Sequence, residues 1–337
     1  MFGNTRQQLI VIFGFALLVC TIAVGPAIAQ TSATDRINRV TKKMADKQLY
    51  HLKYKLTKGE EIRFTTEQSV ATKFAMVGQK EESSSRSKSA KTWKVVNVDR
   101  LGQITFSLTL DSISMWQKTG EGSPIAYDSL TDTKVPEEYS TVADTVGKTL
   151  AVFTVSPSGR VINRTASIRE SNFGAGKVTI PLPEQPVPIG HTWNVPTLLQ
   201  ANDDHDKSIQ LKARIHYELV KVTGHTAYIR FRTQVLTPVT SEKVKSTIMQ
   251  KMTKGEIAFD MEKGRPALKV VRWNEKAQGF EGPDSFLQYV GKMSERLITD
   301  SAAGSKSNTA ALAPIKEAVA KKPVEIKTRD GRPILRK

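Results

Sequence analysis

The side chains best suited to chemistry do not gather into a recognisable motif. The histidines are His51, His191, His205, His216 and His225, and none falls in an H-E-x-x-H, H-x-H or other metal-ligating spacing. The densest run of oxygen and imidazole donors is Asn202-Asp203-Asp204-His205-Asp206. Asp203, Asp204, His205 and Asp206 are therefore the metal candidates, suited to a hard cation. The run lacks the glycine and distal glutamate of an EF-hand loop, and an acidic connecting loop is the simpler reading. No G-x-S-x-G elbow occurs, and Ser156-Pro157-Ser158-Gly159 reads as a turn. Carboxylates such as Glu60, Glu61 and Asp111 stand in turns or at strand ends, with nothing to pair them as a glycosidase requires. No catalytic residue is assigned and no cofactor is expected.

Aromatic side chains are the other candidates. Phe64, Phe74, Trp93, Trp193 and Trp273 all fall in strand readings, and three of the tryptophans are expected at corresponding places in two halves of the chain. Core packing is the simplest account of them. The alternative is contact with a sugar ring or an acyl chain.

The elements that position these residues read as long strands. Ile62, Phe64, Val70, Phe74 and Met76 mark one face of Glu61 to Met76, with polar residues between them. Tyr50, Leu52, Tyr54 and Leu56 alternate in the same way, which predicts a half-buried strand hairpinned to that stretch through Thr57 to Glu60. The serine-rich QKEESSSRSKSAK reads as a solvated loop or strand end. Ile104 to Leu110 alternates again, and beyond Asp111 the apolar residues change phase to Ile113 and Met115, the signature of a β-bulge. Residues 117 to 146 lose the alternation and predict an excursion over the sheet with a short helix near Glu137 to Val146.

The second half repeats the order of the first. Gly190 to Trp193 stands where Gly59 to Ile62 stood, and Ile209 to Leu219 is another long alternating strand. GEIAFDMEKGRPALKVVRW parallels LAVFTVSPSGRVINRT through apolar-x-Phe, a polar pair and Gly-Arg. Phe286 to Ile298 fits either a helix or a strand, and the repeat favours a closing strand. The fold class expected is mainly β, with long antiparallel strands in two related modules built as curved sheets, a half-barrel or a sandwich. The expected division is a first module at 50–180, a proline-rich connection at 181–190 and a second module at 191–300.

The ends speak to compartment. A run LIVIFGFALLVCTIAV, then Gly25-Pro26 and Ala27-Ile28-Ala29, reads as a signal peptide over 1–29 cleaved between Ala29 and Gln30. An uncleaved inner-membrane anchor is the alternative. Cys20 is the single cysteine and leaves with the leader, so the exported chain has no disulfide, no cysteine-based zinc site and no thiol nucleophile. Residues 30–49 form a lead-in with a short helix, and 301–337 a disordered basic tail with nine basic and three acidic side chains. The net charge of +17 suits anionic envelope polymer or lipid as partner and, outside the cytoplasm, not nucleic acid.

Three phrases taken together, YKLTKGEEIRFTTEQS (54–69), LPEQPVPIGHTWNV (182–195) and KGEIAFDMEKGRP (254–266), resemble a family of secreted planctomycete-type bacterial proteins with one large β-rich domain of unknown function. The resemblance spans roughly residues 50–299 and brings no catalytic residue with it. The leading functional reading is a non-catalytic exported protein that binds or structures something in the periplasm or envelope. The second is a carrier of lipid or another apolar ligand in a curved sheet, and the third an envelope hydrolase.

Overall fold

The structure, a computed structural model, describes residues 48–76, 78–166 and 178–298. The leader with Ala29 and Gln30, the helix expected within 31–47 and the basic tail lie outside the described residues. In chain order the elements are β1 (Leu49–Tyr50), β2 (Glu61–Met76), β3 (Gln79–Val98), β4 (Ile104–Thr119) and β5 (Ile125–Asp128). A short helix α1 (Ser140–Ala143), β6 (Thr149–Val155), β7 (Val161–Ala166) and β8 (Val187–Pro188) follow. The second half holds β9 (Thr192–Asn202), β10 (Ser208–Thr223), β11 (Thr226–Val235), helix α2 (Glu242–Ile248), β12 (Lys254–Asp260), β13 (Arg265–Gln278) and β14 (Phe286–Leu297).

Strands β2 to β7 and β9 to β14 are two meanders, and they join edge to edge. The sheet runs β7-β6-β4-β3-β2-β14-β13-β12-β11-β10-β9, antiparallel throughout, with β5 beside β4. The expected pair of related modules is thus one continuous sheet. Each half follows the same plan of three long strands, a covering helix and a hairpin: β2-β3-β4-α1-β6-β7, then β9-β10-β11-α2-β12-β13. One apolar cluster gathers Phe106 and Phe153 from one wing with Leu219, Phe231 and Phe259 from the other. The neighbouring residues Tyr54 and Lys55 hydrogen-bond to the turns at Pro157 and Gly264, which belong to opposite wings, so the sheet bends toward this face and the core face is concave. The sheet stays open rather than closing into a barrel.

Several local outcomes follow from pairing rather than pattern. The expected bulge is present: Ala90 pairs with Ser112 and Lys91 with Leu110, which leaves Asp111 as the extra residue. Its Oδ2 accepts a 2.6 Å hydrogen bond from Thr92 Oγ1. The ambiguous segment Phe286–Leu297 is the closing strand β14, with Leu287, Tyr289, Gly291 and Met293 in one face's register. Of loop and strand end, the structure shows the second for the serine-rich stretch, which opens the 20-residue strand β3. Both its edges are hydrogen-bonded, to β2 and β4, and that backbone pairing needs no apolar side chain. Strand β9 escapes the alternation argument because Pro196 interrupts it; proline is tolerated there because β9 is an edge strand.

The segment before β2 differs from expectation. Only Leu49–Tyr50 pair as a strand, with Val187–Pro188. Residues 51–57 form an extended strap across the concave face that buries Leu52, Tyr54 and Leu56. Alternation reports one apolar face and not a hydrogen-bonding partner, and both edges of β2 are taken by β3 and β14. The strap is held instead by the two equivalent hairpin turns: Tyr54 N–H donates to the Pro157 carbonyl (2.8 Å) and Lys55 N–H to that of Gly264 (3.1 Å). The shared Gly-Arg of the repeat now has a reason. Gly159 and Gly264 have φ of +76° and +61° and turn bare backbone toward Tyr54 and Lys55. Arg265, following the second glycine, makes a 2.5 Å ion pair with Glu60 at the end of the strap.

Candidate functional site

The helices cover the wings of the concave face. Tyr139, in the turn leading into α1, and Val142 pack on Leu110, Ile113 and Tyr127; α2 lays Val244 and Ile248 on Leu199, Ala201, Leu211 and Ala213. The N-terminus of α2 is capped by Ser241, whose Oγ accepts from Val244 N–H at 3.3 Å. Between the wings, the four central strands carry side chains in three successive levels.

The lowest level is solid core. Phe64 and Trp93 are buried, with ring centroids 4.9 Å apart, and Trp93 stacks on Phe106 at 4.7 Å. Trp193 on β9 stacks on Tyr217 at 5.4 Å and donates its indole N–H to the Pro181 carbonyl at 2.8 Å. Trp93, Trp193 and Trp273 lie on β3, β9 and β13, which are not equivalent strands of the two halves, so the expected correspondence of the tryptophans does not hold.

The second level is a buried polar belt. Lys91 Nζ lies 2.6 Å from Glu295 Oε2, with side chains 11% and 12% exposed. Thr66 Oγ1 donates to the same carboxylate at 3.3 Å. Lys269 stands beside Glu295 in the strand register and interacts with it. Burial by itself raises the Glu295 carboxyl, but Lys91, Lys269 and Thr66 outweigh it and hold the pKa below the ordinary carboxylate value. Burial pushes the Lys269 ammonium the other way, below the usual lysine range; Glu295 only partly offsets this, and nearby Lys91 adds to it. The belt was missed in the sequence although its signal is present. Lys91 follows the apolar phase of Trp93, and Glu295 stands between Met293 and Leu297 in the apolar phase of β14.

Above the belt the face opens. Val70 and Phe74 on β2, Leu287 and Tyr289 on β14, and Trp273 on β13 are half-buried. Phe74 lies 6.1 Å from Phe280, and Trp273 packs edge-on against Tyr289 at 6.3 Å. The Trp273 indole N–H donates to the Gln250 carbonyl at 2.8 Å, fixing the ring. Gly291 sits between Trp273 and Val70, which approach the position its missing Cβ would take. On the other flank, Ser83, Ser85, Ser87 and Ser89 of β3 share the face of Thr72, Val70, Gln68 and Thr66 by register. The floor is therefore an apolar strip along β2, β14 and β13 beside a ladder of hydroxyls on β3. Glu275 borders the strip; burial raises its carboxyl, offset in part by Lys254.

Of the aromatic candidates, the structure brings Phe74 and Trp273 to this trough and places Phe64, Trp93 and Trp193 in packed surroundings below or beside it. The acidic loop joins β9 to β10, and its groups are already engaged. Asp203 Oδ1 accepts from the His205 and Lys207 N–H groups, both at 2.9 Å. Asp204 accepts from Ser241 Oγ, and Asp206 pairs with Lys243 at 3.0 Å. Among the described residues, no three His, Cys, Asp or Glu side chains converge where a metal ion could sit.

No protein-family model matches the chain, and no curated protein matches it. Among solved structures, the chain is similar to lipovitellin, in a structure titled for its lipid–protein interactions. The TM-score is 0.46 and the identity 10%, over 73% of this chain and 26% of that one. The chain thus spans about a quarter of the length of that protein.

Proposed function

We propose that the protein is a binding protein rather than an enzyme, and that the trough above the polar belt holds an amphiphile with an acyl or comparable apolar chain. The observation that carries this reading is the unequal floor of the trough. Half-buried Val70, Phe74, Leu287, Tyr289 and Trp273 form an apolar strip, and the serine hydroxyls of β3 run beside it. An apolar chain laid on the strip removes carbon surface from water, worth about 25 cal/mol per Å². The hydroxyls meet the carbonyl or head-group oxygens at its polar end. The belt closes the bottom of the trough, because an apolar chain cannot displace a buried ion pair without leaving charges unpaired. With the leader expected at residues 1–29, the same reading places the protein outside the cytoplasm as an envelope lipid binder or carrier.

Native mass spectrometry of protein recovered from its own envelope fraction is expected to show a lipid mass that disappears on delipidation. The delipidated protein is expected to take up cis-parinaric acid with a rise in fluorescence. Val70→Asp and Phe74→Asp, on the trough floor, are expected to weaken this uptake by about tenfold or more. Val290→Asp, on the opposite face of the same strands, leaves it unchanged. Absence of both co-purifying lipid and fluorescence uptake overturns the reading.

A further inference from the structure

The convex face of the sheet carries an independent feature. Arg86 on β3 pairs with Ser69 on β2, Ser69 with Lys292 on β14, Lys292 with Arg272 on β13, Arg272 with Lys254 on β12, and Lys254 with Arg232 on β11. Paired residues project from the same face, so these side chains form one row across six adjacent strands. His216 of β10 is next in the row. At about 4.8 Å between strands, the row from Arg86 to Arg232 is about 24 Å long. Lys292, Arg272, Lys254 and Arg232 are exposed and stand directly opposite one another on consecutive strands.

Like charges in directly opposed positions destabilise a sheet, and the next row of the same face shows how the chain otherwise avoids this. That row runs Lys88, Glu67, Ser294, Val270, Glu256, Arg230 and Glu218, so each of its basic residues stands opposite a glutamate, with ion pairs of 3.6 Å between Lys88 and Glu67 and between Arg230 and Glu218. The basic row has no acidic member, and none of its side chains takes part in the ion pairs of the described residues. At its β3 end Arg86 lies over the Trp116 ring, 5.3 Å from its centroid, on the same face.

We infer that this row is a binding site for a linear polyanion, an acidic polysaccharide whose chain runs across the strands with its carboxylates along the row and a sugar ring at Trp116. A chain with one carboxylate per sugar has charges at a repeat comparable to the strand spacing. The mixed-sign row alongside confines the positive potential to a line, and the convex curvature withdraws its ends from a plane. Both features fit a flexible chain and disfavour a flat anionic bilayer.

The test uses the full chain and fluorescein-labelled polygalacturonate oligomers, with dextran of equal length and phosphatidylglycerol vesicles as comparisons. Wild type is expected to bind polygalacturonate but not dextran, with affinity falling steeply as salt rises. The double variant Arg272→Glu/Lys254→Glu, both at exposed positions, is expected to bind about tenfold or more weakly. Lys58→Glu/Lys148→Glu, the same charge change at exposed turns outside the row, is expected to shift binding by about twofold or less. Equal weakening by the two double variants reduces the effect to net charge and overturns the inference, as does tighter binding to the vesicles than to the polymer. Uptake of cis-parinaric acid by Arg272→Glu/Lys254→Glu stays at the wild-type level, so failure here is separable from failure of the trough reading.

Discussion

Glu295→Gln is expected to destabilise the fold by about 3–5 kcal/mol, read from urea denaturation near neutral pH. The substitution preserves volume and removes only the charge. Lys91, whose side chain is 11% exposed, then has no carboxylate within reach, and Lys269 loses the group that offsets its burial. The pH dependence carries a sign. The folded pKa of Glu295 is lowered, so its contribution is fully present above the unfolded carboxylate value of about 4.3 and disappears as the pH falls through the folded value. Wild type should therefore lose stability on acidification over that range, and Glu295→Gln should lose less. Lys269 has a linkage of the same sign at the alkaline end of the range. Its lowered folded pKa makes the folded state more favourable as the pH rises toward the unfolded lysine value of about 10.4. Lys269→Met should flatten that alkaline rise, and it should cost less at neutral pH than Glu295→Gln because it leaves one lysine with one carboxylate. A Glu295→Gln protein within about 1 kcal/mol of wild type would show that the belt is solvated and not a buried charge set.

The second large effect belongs to the hairpin glycines. Gly159→Ala puts a methyl group into the Tyr54 ring and the Ile180 carbonyl, and Gly264→Ala puts one into the backbone nitrogen and Cβ of Lys55. Each also forces a side chain into left-handed backbone, which costs about 1–2 kcal/mol, and the crowding adds about 1–3 kcal/mol. An expected loss of about 3 kcal/mol per site corresponds to a Tm lower by roughly 6–12 °C for a domain of this size. Gly224→Ala separates the two causes. Its φ is +56° but open space surrounds the position, so only the conformational part is expected, about 1–2 kcal/mol. Equal losses at all three positions would mean that the strap does not press on the turns.

How much of this was legible in the sequence depended on whether a side chain or a pairing partner decided the outcome. Period-two alternation located β2, β4 and β10, and the change of phase after Asp111 located the bulge, because the concave face demands apolar residues in register; for β14 the pattern fits helix and strand alike, and the repeat decided for the strand. The same signal misassigned Leu52, Tyr54 and Leu56, which are buried by a strap that pairs with no long strand. The serines of β3 left loop and strand end equally open, because a strand hydrogen-bonded on both sides can dispense with apolar side chains. In the candidate site, Phe74 and Trp273 were visible as aromatics of amphipathic strands. The trough itself was not visible, because it depends on β14 lying beside β2, a juxtaposition that no local pattern encodes. The basic row was hidden for the same reason: its members come from β3, β14, β13, β12 and β11, and only the register lines them up.

The junction of β2 with β14 also sets the order in which the molecule can be made. Thr66 and Glu295, joined by a hydrogen bond across that seam, are 229 residues apart in sequence. Until the ribosome has delivered residue 297, β2 has a bare edge of sixteen residues and Lys91 has no counter-charge. Contacts of such sequence separation slow folding, and an unpaired edge invites pairing with another chain. Strand β14 thus acts as a latch, and a chain truncated before Phe286 retains β2–β7 and β9–β13 but lacks the element that joins them.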